Sequence, residues 1–353
     1  MNYRLLRSLL VGALVALPLL GAAQSTEVRT LVREGTKLHD AGRFEEAVAK
    51  YQEALKLEPG SGLAQYELAM TYNSMGRNEE AAKLCRALLA TPQSATAEVY
   101  VTYGNVLDAQ KKPKEAIRIY EQGIKRFPEV ELLHFNLGIA QYGQQQTEAA
   151  VASLQRAVQL QPQHASAHLF LGLLTAETGN RVPAILELAR FLMLEPQGRR
   201  ASTYLPHFDK LMRAGAEKTG DNSITLNVSK QTLDAAQKGK GADNFAQAEM
   251  MLSMMAALDY DDKHKDKTPT ARMAEKLDRL IGSFAEKDTR KGFVWEYYVP
   301  YFLEMKRRDF VPAFTYFIRS AHTDQPDVQQ WLDAHSAEVA ALREWSKNYE
   351  WGK

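Results

Sequence analysis

Along residues 131–143 apolar side chains fall on two helical faces rather than one. Leu133, Leu137, Gly138 and Gln141 share one face, while Leu132, Phe135, Ile139 and Tyr142, spaced three, four and three, lie on another. The segment is therefore expected to be a helix with two apolar stripes. A second helical period follows a short polar break, and the two-helix unit recurs along the first half of the chain. Ala47, Ala81, Ala116, Ala150 and Ala184 are separated by 34, 35, 34 and 34 residues. Twelve residues before each stands another small residue: Gly35, Ala69, Gly104, Gly138 and Gly172. Twelve after stand Pro59, Pro128, Pro162 and Pro196, with Pro92 one place early. Paired small residues with a turn between them and a closing proline describe antiparallel helices whose axes approach closely, because no bulky side chain intervenes.

The units run over about 28–61, 62–96, 97–130, 131–164 and 165–198, with turns expected at Gly42, Gly76, Lys111–Lys112 and Gly179. In the first unit Phe44, Ala47, Tyr51, Ala54 and Leu55 form the packing stripe of the second helix. The single Cys85 lies on the corresponding stripe with Ala81 and Leu88, the position of an inert core thiol.

This pattern resembles the tetratricopeptide repeat family over about residues 28–198. The resemblance implies an all-α fold, a right-handed α-solenoid of helix pairs. It also implies an interaction scaffold that holds a peptide or protein segment in a concave groove lined by the second stripe of each first helix. The residues at those positions are Leu63, Tyr66, Met70 and Asn73 in repeat 2 and Glu98, Val101, Asn105 and Asp108 in repeat 3. Repeat 4 supplies Leu132, Phe135, Ile139 and Tyr142, and repeat 5 supplies Leu169 and Leu173 between Ser166 and Ala176. Two readings of the stripe stand at this point: a binding groove, or packing against neighbouring helices or the C-terminal region. One subtype of the family grips terminal carboxylates with cationic and amide groups. Here Val32, Thr36, Glu67 and Glu98 occupy such positions, so that specificity does not transfer.

Beyond Pro196 the register fades. Residues 199–214 read as a helix capping the last repeat, with Tyr204, Leu205, Phe208, Leu211 and Met212 on one broad face. The small, polar stretch 215–223 reads as a boundary, and 224–228 as a short extended segment. An irregular α-helical C-terminal domain is expected over 215–353, after a repeat domain over 24–214. In it, residues 242–260 form a helix with Met250, Met251, Met254 and Met255, read as core filling rather than a copper site. A further helix starts at Thr268–Pro269. The aromatic-rich stretch beyond residue 290 holds Trp295, Trp331, Trp345 and Trp351 and reads as core. Residues 294–327 are compatible with a degenerate sixth repeat, Arg308, Ala313 and Phe317 matching Gly42, Ala47 and Tyr51.

Composition then narrows the function. The 353 residues carry a formal charge of +1 with 25% charged positions. Such a balance lacks the basic stripe that a nucleic-acid backbone requires, so no nucleic-acid partner is expected. It also predicts weak steering and a weak salt dependence of binding. At the start, Arg4 and Arg7 precede an apolar run from Leu9 to Leu20 and the small residues Gly21, Ala22 and Ala23. This reads as a signal peptide over residues 1–23. The expectation is an exported protein, periplasmic or secreted, with no stable membrane anchor once the segment is cleaved. Catalytic signatures such as G-x-S-x-G, H-E-x-x-H and a phosphate-binding glycine loop do not occur in the sequence. His164 and His168 have ligand spacing without an evident third ligand. Asp261, Asp262, His264 and Asp266 alternate with lysines in the manner of a solvated loop. The expectation is a non-enzymatic scaffold in the bacterial cell envelope that needs no cofactor or metal and binds another protein. The alternative is an enzyme or ligand-binding module in residues 215–353 presented by the repeat arm.

Overall fold

The computed structural model describes residues 26–220, 223–238, 241–257, 260, 267–284, 291–321 and 325–352. The basic and apolar leader read as a signal peptide lies outside the described residues, as do Asp261, Asp262, His264 and Asp266. The chain divides into two compact units, one ending at Ala150 and one beginning at Val151.

The first unit contains α1 (residues 26–40), α2 (Phe44–Leu57), α3 (Gly62–Ser74), α4 (Asn78–Ala90), α5 (Ala97–Ala109), α6 (Pro113–Arg126) and α7 (Glu131–Gly143). The 34-residue rhythm appears directly in the backbone. The residue that turns the first helix of each pair into the second is left-handed at Gly42 (φ 73°), Gly76 (φ 73°), Lys111 (φ 60°) and Gln145 (φ 61°). Each turn closes with the same hydrogen bonds. In repeat 1 Gly42 N donates to His39 O and Arg43 N to Leu38 O, both at 2.8 Å; in repeat 3 Lys111 and Lys112 repeat the pattern to Asp108 O and Leu107 O. Lysine and glutamine hold a conformation at two turns that glycine adopts without steric cost.

Close approach within the pairs depends on matched sizes sixteen residues apart. A Cβ on Gly35 would lie 2.5 Å from the ring of Tyr51, and one on Gly104 would lie 2.1 Å from the ring of Tyr120. Both tyrosines therefore lie flat on a glycine. Repeat 2 makes the complementary choice, with an alanine, Ala69, in place of the glycine and the smaller Cys85 in place of the tyrosine, both buried. Ala47, Ala81 and Ala116 are fully buried, as the spacing predicts. Burial pushes the Cys85 thiol up to about 12, which keeps it an unreactive core group.

The second unit holds α9 (Ala165–Glu177), α10 (Arg181–Leu194) and α11 (Arg199–Arg213). A hairpin of β1 (Ala216–Gly220) and β2 (Ser223–Leu226) follows, then α12 (Lys230–Lys238), α13 (Ala246–Ala257) and α14 (Pro269–Gly282). The chain goes on through α15 (Phe293–Arg307), α16 (Val311–Phe317), α17 (Pro326–Ala334) and α18 (Ser336–Lys347). The preceding helix α8 (Thr147–Leu160) contains the division between the units. The strands are antiparallel, with Ala216 opposite Leu226 and Lys218 opposite Ile224. The polar stretch read as a boundary thus supplies a strand that its composition does not announce.

Here α10 is the centre. Every residue from Val182 to Met193 is buried, the mark of a helix enclosed on all sides, and α9, α11, α13 and α15 pack around it. The fifth repeat pair is therefore built into the C-terminal region, and the contacts separate the units at Ala150 rather than at the sequence boundary near 214. Polar groups pin the packing. Arg181 donates to Leu211 O at 2.7 Å and Ala214 O at 2.6 Å, satisfying the end of α11. Asp243 accepts from Val294 N (2.8 Å) and Trp295 N (3.1 Å), capping α15 from fifty residues away. The aromatic stretch is core, as expected: Tyr297, Tyr298, Tyr301, Phe302 and Phe314 are buried. The sixth-repeat register is off by one, because the left-handed turn residue is Asp309 (φ 58°) and not Arg308. Counted from that turn, Phe314 takes the place of the small alanine, and α16 packs chiefly on α14 instead of along α15. Of the four methionines, Met255 is buried and Met254 is 53% exposed.

Candidate functional site

In the first unit the first helices of successive repeats lie side by side, α3 against α5 and α5 against α7. Cross-repeat bonds fix their spacing: His39 Nδ1 meets Thr71 Oγ1 at 2.8 Å, and Thr102 Oγ1 donates to Met70 Sδ at 3.4 Å. This row of helices carries the second stripe. Leu63 (53% exposed), Leu132 (41%), Tyr142 and Asn105 are open to solvent; Tyr66, Met70, Asn73, Val101, Phe135 and Ile139 are half-buried. Asn105 is oriented from below, since the Tyr120 hydroxyl that crosses Gly104 donates to its Oδ1 at 2.7 Å. Tyr51 makes the same reach toward Thr36 Oγ1, at 3.4 Å.

Leu169 and Leu173 belong to the second unit and do not share this setting. Leu169 is 2% exposed and Leu173 half-buried, so the stripe at repeat 5 is core at its centre. The reason lies in its neighbours. His168 beside it donates from Nε2 to Pro162 O at 3.1 Å, its Nδ1 meets Tyr298 Oη at 2.7 Å, and its ring packs edge-on to the Tyr298 ring at this end of α9. His164 accepts from Ala167 N as a helix cap. The histidine pair is structural, and among the described residues no three His, Cys, Asp or Glu gather as a metal site.

The stripe opens into a cavity of about 490 Å³ between repeats 2 and 3. Leu63, Tyr66 and Val99 form its apolar wall, Glu67 and Glu98 face it from α3 and α5, and Gln93, Ser94 and Thr96 close it from the loop ahead of α5. The loop makes the room. Residues 91–96 link α4 to α5, whereas residues 58–61 link α2 to α3 and residues 127–130 link α6 to α7. The extra length corresponds to the single 35-residue interval in the repeat, the one signal by which Gln93, Ser94 and Thr96 could be found from sequence. Glu67 is half-buried, and its carboxyl is held above the ordinary range first by loss of water; His39 opposes the shift and Asp40 adds to it. The Tyr66 phenol is raised mainly by burial, with Glu67 and Glu98 acting in the same direction. The site offers an apolar surface rimmed by carboxylates, side-chain amides and hydroxyls, a set suited to holding a ligand.

A row of helix pairs with a 34-residue period, glycine–tyrosine packing within pairs and a stripe left open along the first helices defines a helical-repeat interaction scaffold. Two tetratricopeptide-repeat family models match the chain, one over residues 38–101 and one over 104–165 and 135–192. Residues 38–192 are thus matched by tetratricopeptide-repeat models. Among solved structures, TTC0263, a thermophilic tetratricopeptide-repeat protein of Thermus thermophilus, is 21% identical. Its match covers 52% of this chain and 98% of that one, with a TM-score of 0.43. PilF of Pseudomonas aeruginosa is 19% identical over 72% of this chain and 97% of that one, TM-score 0.48. A MamA fragment of Desulfovibrio magneticus is 20% identical over 48% and 94%, TM-score 0.42. No curated protein matches the chain. No helix among the described residues is long and apolar enough to cross a membrane.

Proposed function

We propose that this protein is an adaptor of the bacterial cell envelope that holds a segment of another protein along the open stripe of its first unit, with Tyr66, Phe135 and Tyr142 as aromatic anchors. One observation carries this reading. Leu63 and Leu132 stand at the same position of their repeats and are both left in water, and at the next stripe position Tyr66 and Phe135 are half-buried whereas Leu169 of repeat 5 is enclosed. Apolar side chains kept open at a repeated position, next to a cavity with polar groups at its rim, favour a binding surface over a core. The envelope placement is supported by the basic, apolar and small-residue order of residues 1–23.

Two measurements test the reading. A photo-crosslinking amino acid placed at Leu63 or Leu132 in the expressing bacterium gives a discrete adduct that the same probe at Arg118, exposed on α6, does not give. Equal adducts at all three positions, or none, refute groove binding. The mass of the purified protein starts at Gln24; a retained Met1 refutes export by cleavage.

A further inference from the structure

We propose that the groove selects a segment in which a lysine or arginine side chain stands beside an apolar one, the cation seated between Glu67 and Glu98 and its apolar neighbour on Leu63 and Tyr66. The proposal rests on the groove reading above and adds the chemistry of the occupant.

The argument is one of local charge. The chain as a whole carries a formal charge of only +1, yet the cavity between repeats 2 and 3 is lined by two carboxylates and by no lysine or arginine. Neither Glu67 nor Glu98 forms an ion pair among the described residues; the first unit's own pairs, Arg43–Glu46, Lys50–Glu34 and Arg77–Glu80, lie elsewhere. Two more exposed acids, Asp40 on α1 and Asp108 on α5, occupy the ends of the first helices on the same row. A half-buried carboxylate without a lysine or arginine partner is costly; His39 offsets part of that cost at Glu67 and Asp40 adds to it, and an entering cation relieves it. Burial is the main cause of the upward shifts of the Glu67 carboxyl and the Tyr66 phenol, and Glu67 and Glu98 add to the second. A cavity with low-dielectric walls of leucine, tyrosine and valine focuses the field of its carboxylates on whatever enters. A divalent ion is a poorer fit, because two carboxylates fall short of the six to eight oxygens a calcium site uses. The apolar wall in turn gives an ammonium or guanidinium no partner for its neighbours unless they are apolar. Average charge predicts a weak salt dependence of binding, whereas a cavity lined by two carboxylates and by no lysine or arginine predicts a stronger one for a basic segment.

The test pans a phage library of random 12-residue peptides against the full-length chain, and repeats it against Glu67→Gln/Glu98→Gln, which preserves side-chain shape. The expected result is enrichment of Lys or Arg next to an apolar residue with the parent, and loss of that enrichment with the double variant. A selected basic peptide, made synthetically, binds the double variant at least about fivefold more weakly and loses affinity as salt rises. Glu98→Lys shifts the preference toward acidic peptides. Enriched peptides that lack basic residues, yet are lost on Leu63→Ser, overturn the proposal while the groove reading stands. Peptides whose capture survives both Leu63→Ser and Leu132→Ser, or the recovery of none, overturn the groove reading and this inference with it. Unchanged melting of each variant separates loss of binding from loss of fold.

Discussion

The two units solve the problem of burying helices in opposite ways. In the first, side-chain hydrogen bonds between repeats link residues at most 34 positions apart, such as Arg86 to Tyr103, Gln110 to Asn78 O and Arg126 to Pro92 O, and packing rests on small residues against rings. In the second, bonds span far more of the chain: His168 to Tyr298 across 130 residues, Arg190 to Ser346 across 156. The second unit also buries charge. Arg190 is fully buried between the rings of Tyr301 and Trp351, donating to Ser346 Oγ at 2.7 Å, Tyr301 Oη and Gln163 Oε1 at 3.3 Å and Pro162 O at 3.2 Å, with no carboxylate among these partners. One turn away Glu187 is also buried, and its carboxyl is pushed up to about 8 by loss of water. A nearest-neighbour array can leave one face free for a partner, because no distant segment is needed to complete it; a unit closed by distant contacts uses its faces on itself.

This contrast can be broken most strongly at Arg190. Arg190→Ala removes a side chain on which α10, α15 and α18 converge and is expected to cost about 3–5 kcal/mol. Hydrogen exchange should show lost protection in all three helices together, with α3 to α6 unchanged. Arg190→Met keeps the stem and spares the cost of a buried charge, so its loss is smaller. A pattern confined to α10 would refute the shared role.

Protonation gives the next largest effect, and its sign is determined by two buried groups. Glu187 has a folded pKa raised from 4.5 to about 8, so the stability it contributes is present below pH 4.5 and is lost as pH rises toward 8. His168, buried, is held well below its ordinary 6.5, so its contribution is lost as pH falls below 6.5. Between pH 4.5 and 6.5 the two slopes oppose, and between 6.5 and 8 the Glu187 slope remains, up to about 1.4 kcal/mol per pH unit. Urea titrations at pH 6.5 and 8 should show stability falling, and Glu187→Gln should flatten the fall.

Within the repeats the expected effects are local. Gly104→Ala places a methyl against the Tyr120 ring and costs about 1–3 kcal/mol by overpacking. In a Tyr120→Cys background, which reproduces the Ala69 and Cys85 pairing of repeat 2, the same change costs less, by roughly 0.5–3 kcal/mol of coupling in a double-mutant cycle. Additive effects would show that the two positions do not meet. The smallest effect belongs to Leu63→Ser, expected within about 0.5 kcal/mol because the side chain is already in water. A sharp fall in melting temperature would mark Leu63 as core.

The sequence by itself determined what repeats. The two helices per unit, their turns, the small residues at close contacts, the buried Cys85 and the stripe left over on the first helices all follow from periods of three, four and thirty-four. Helical periodicity records which residues share a face, and a repeated unit states its packing several times over. Tertiary structure decided what the period cannot encode. The same stripe position is half-buried at Tyr66 and Phe135 but closed at Leu169, whose neighbour His168 bonds Tyr298 from 130 residues away. The cavity at Glu67 and Glu98 depends on the path of residues 91–96, and a loop's path carries no period. The enclosure of Arg190 and the capping of α15 by Asp243 join positions separated by fifty to more than a hundred residues, and only the folded chain brings such positions together.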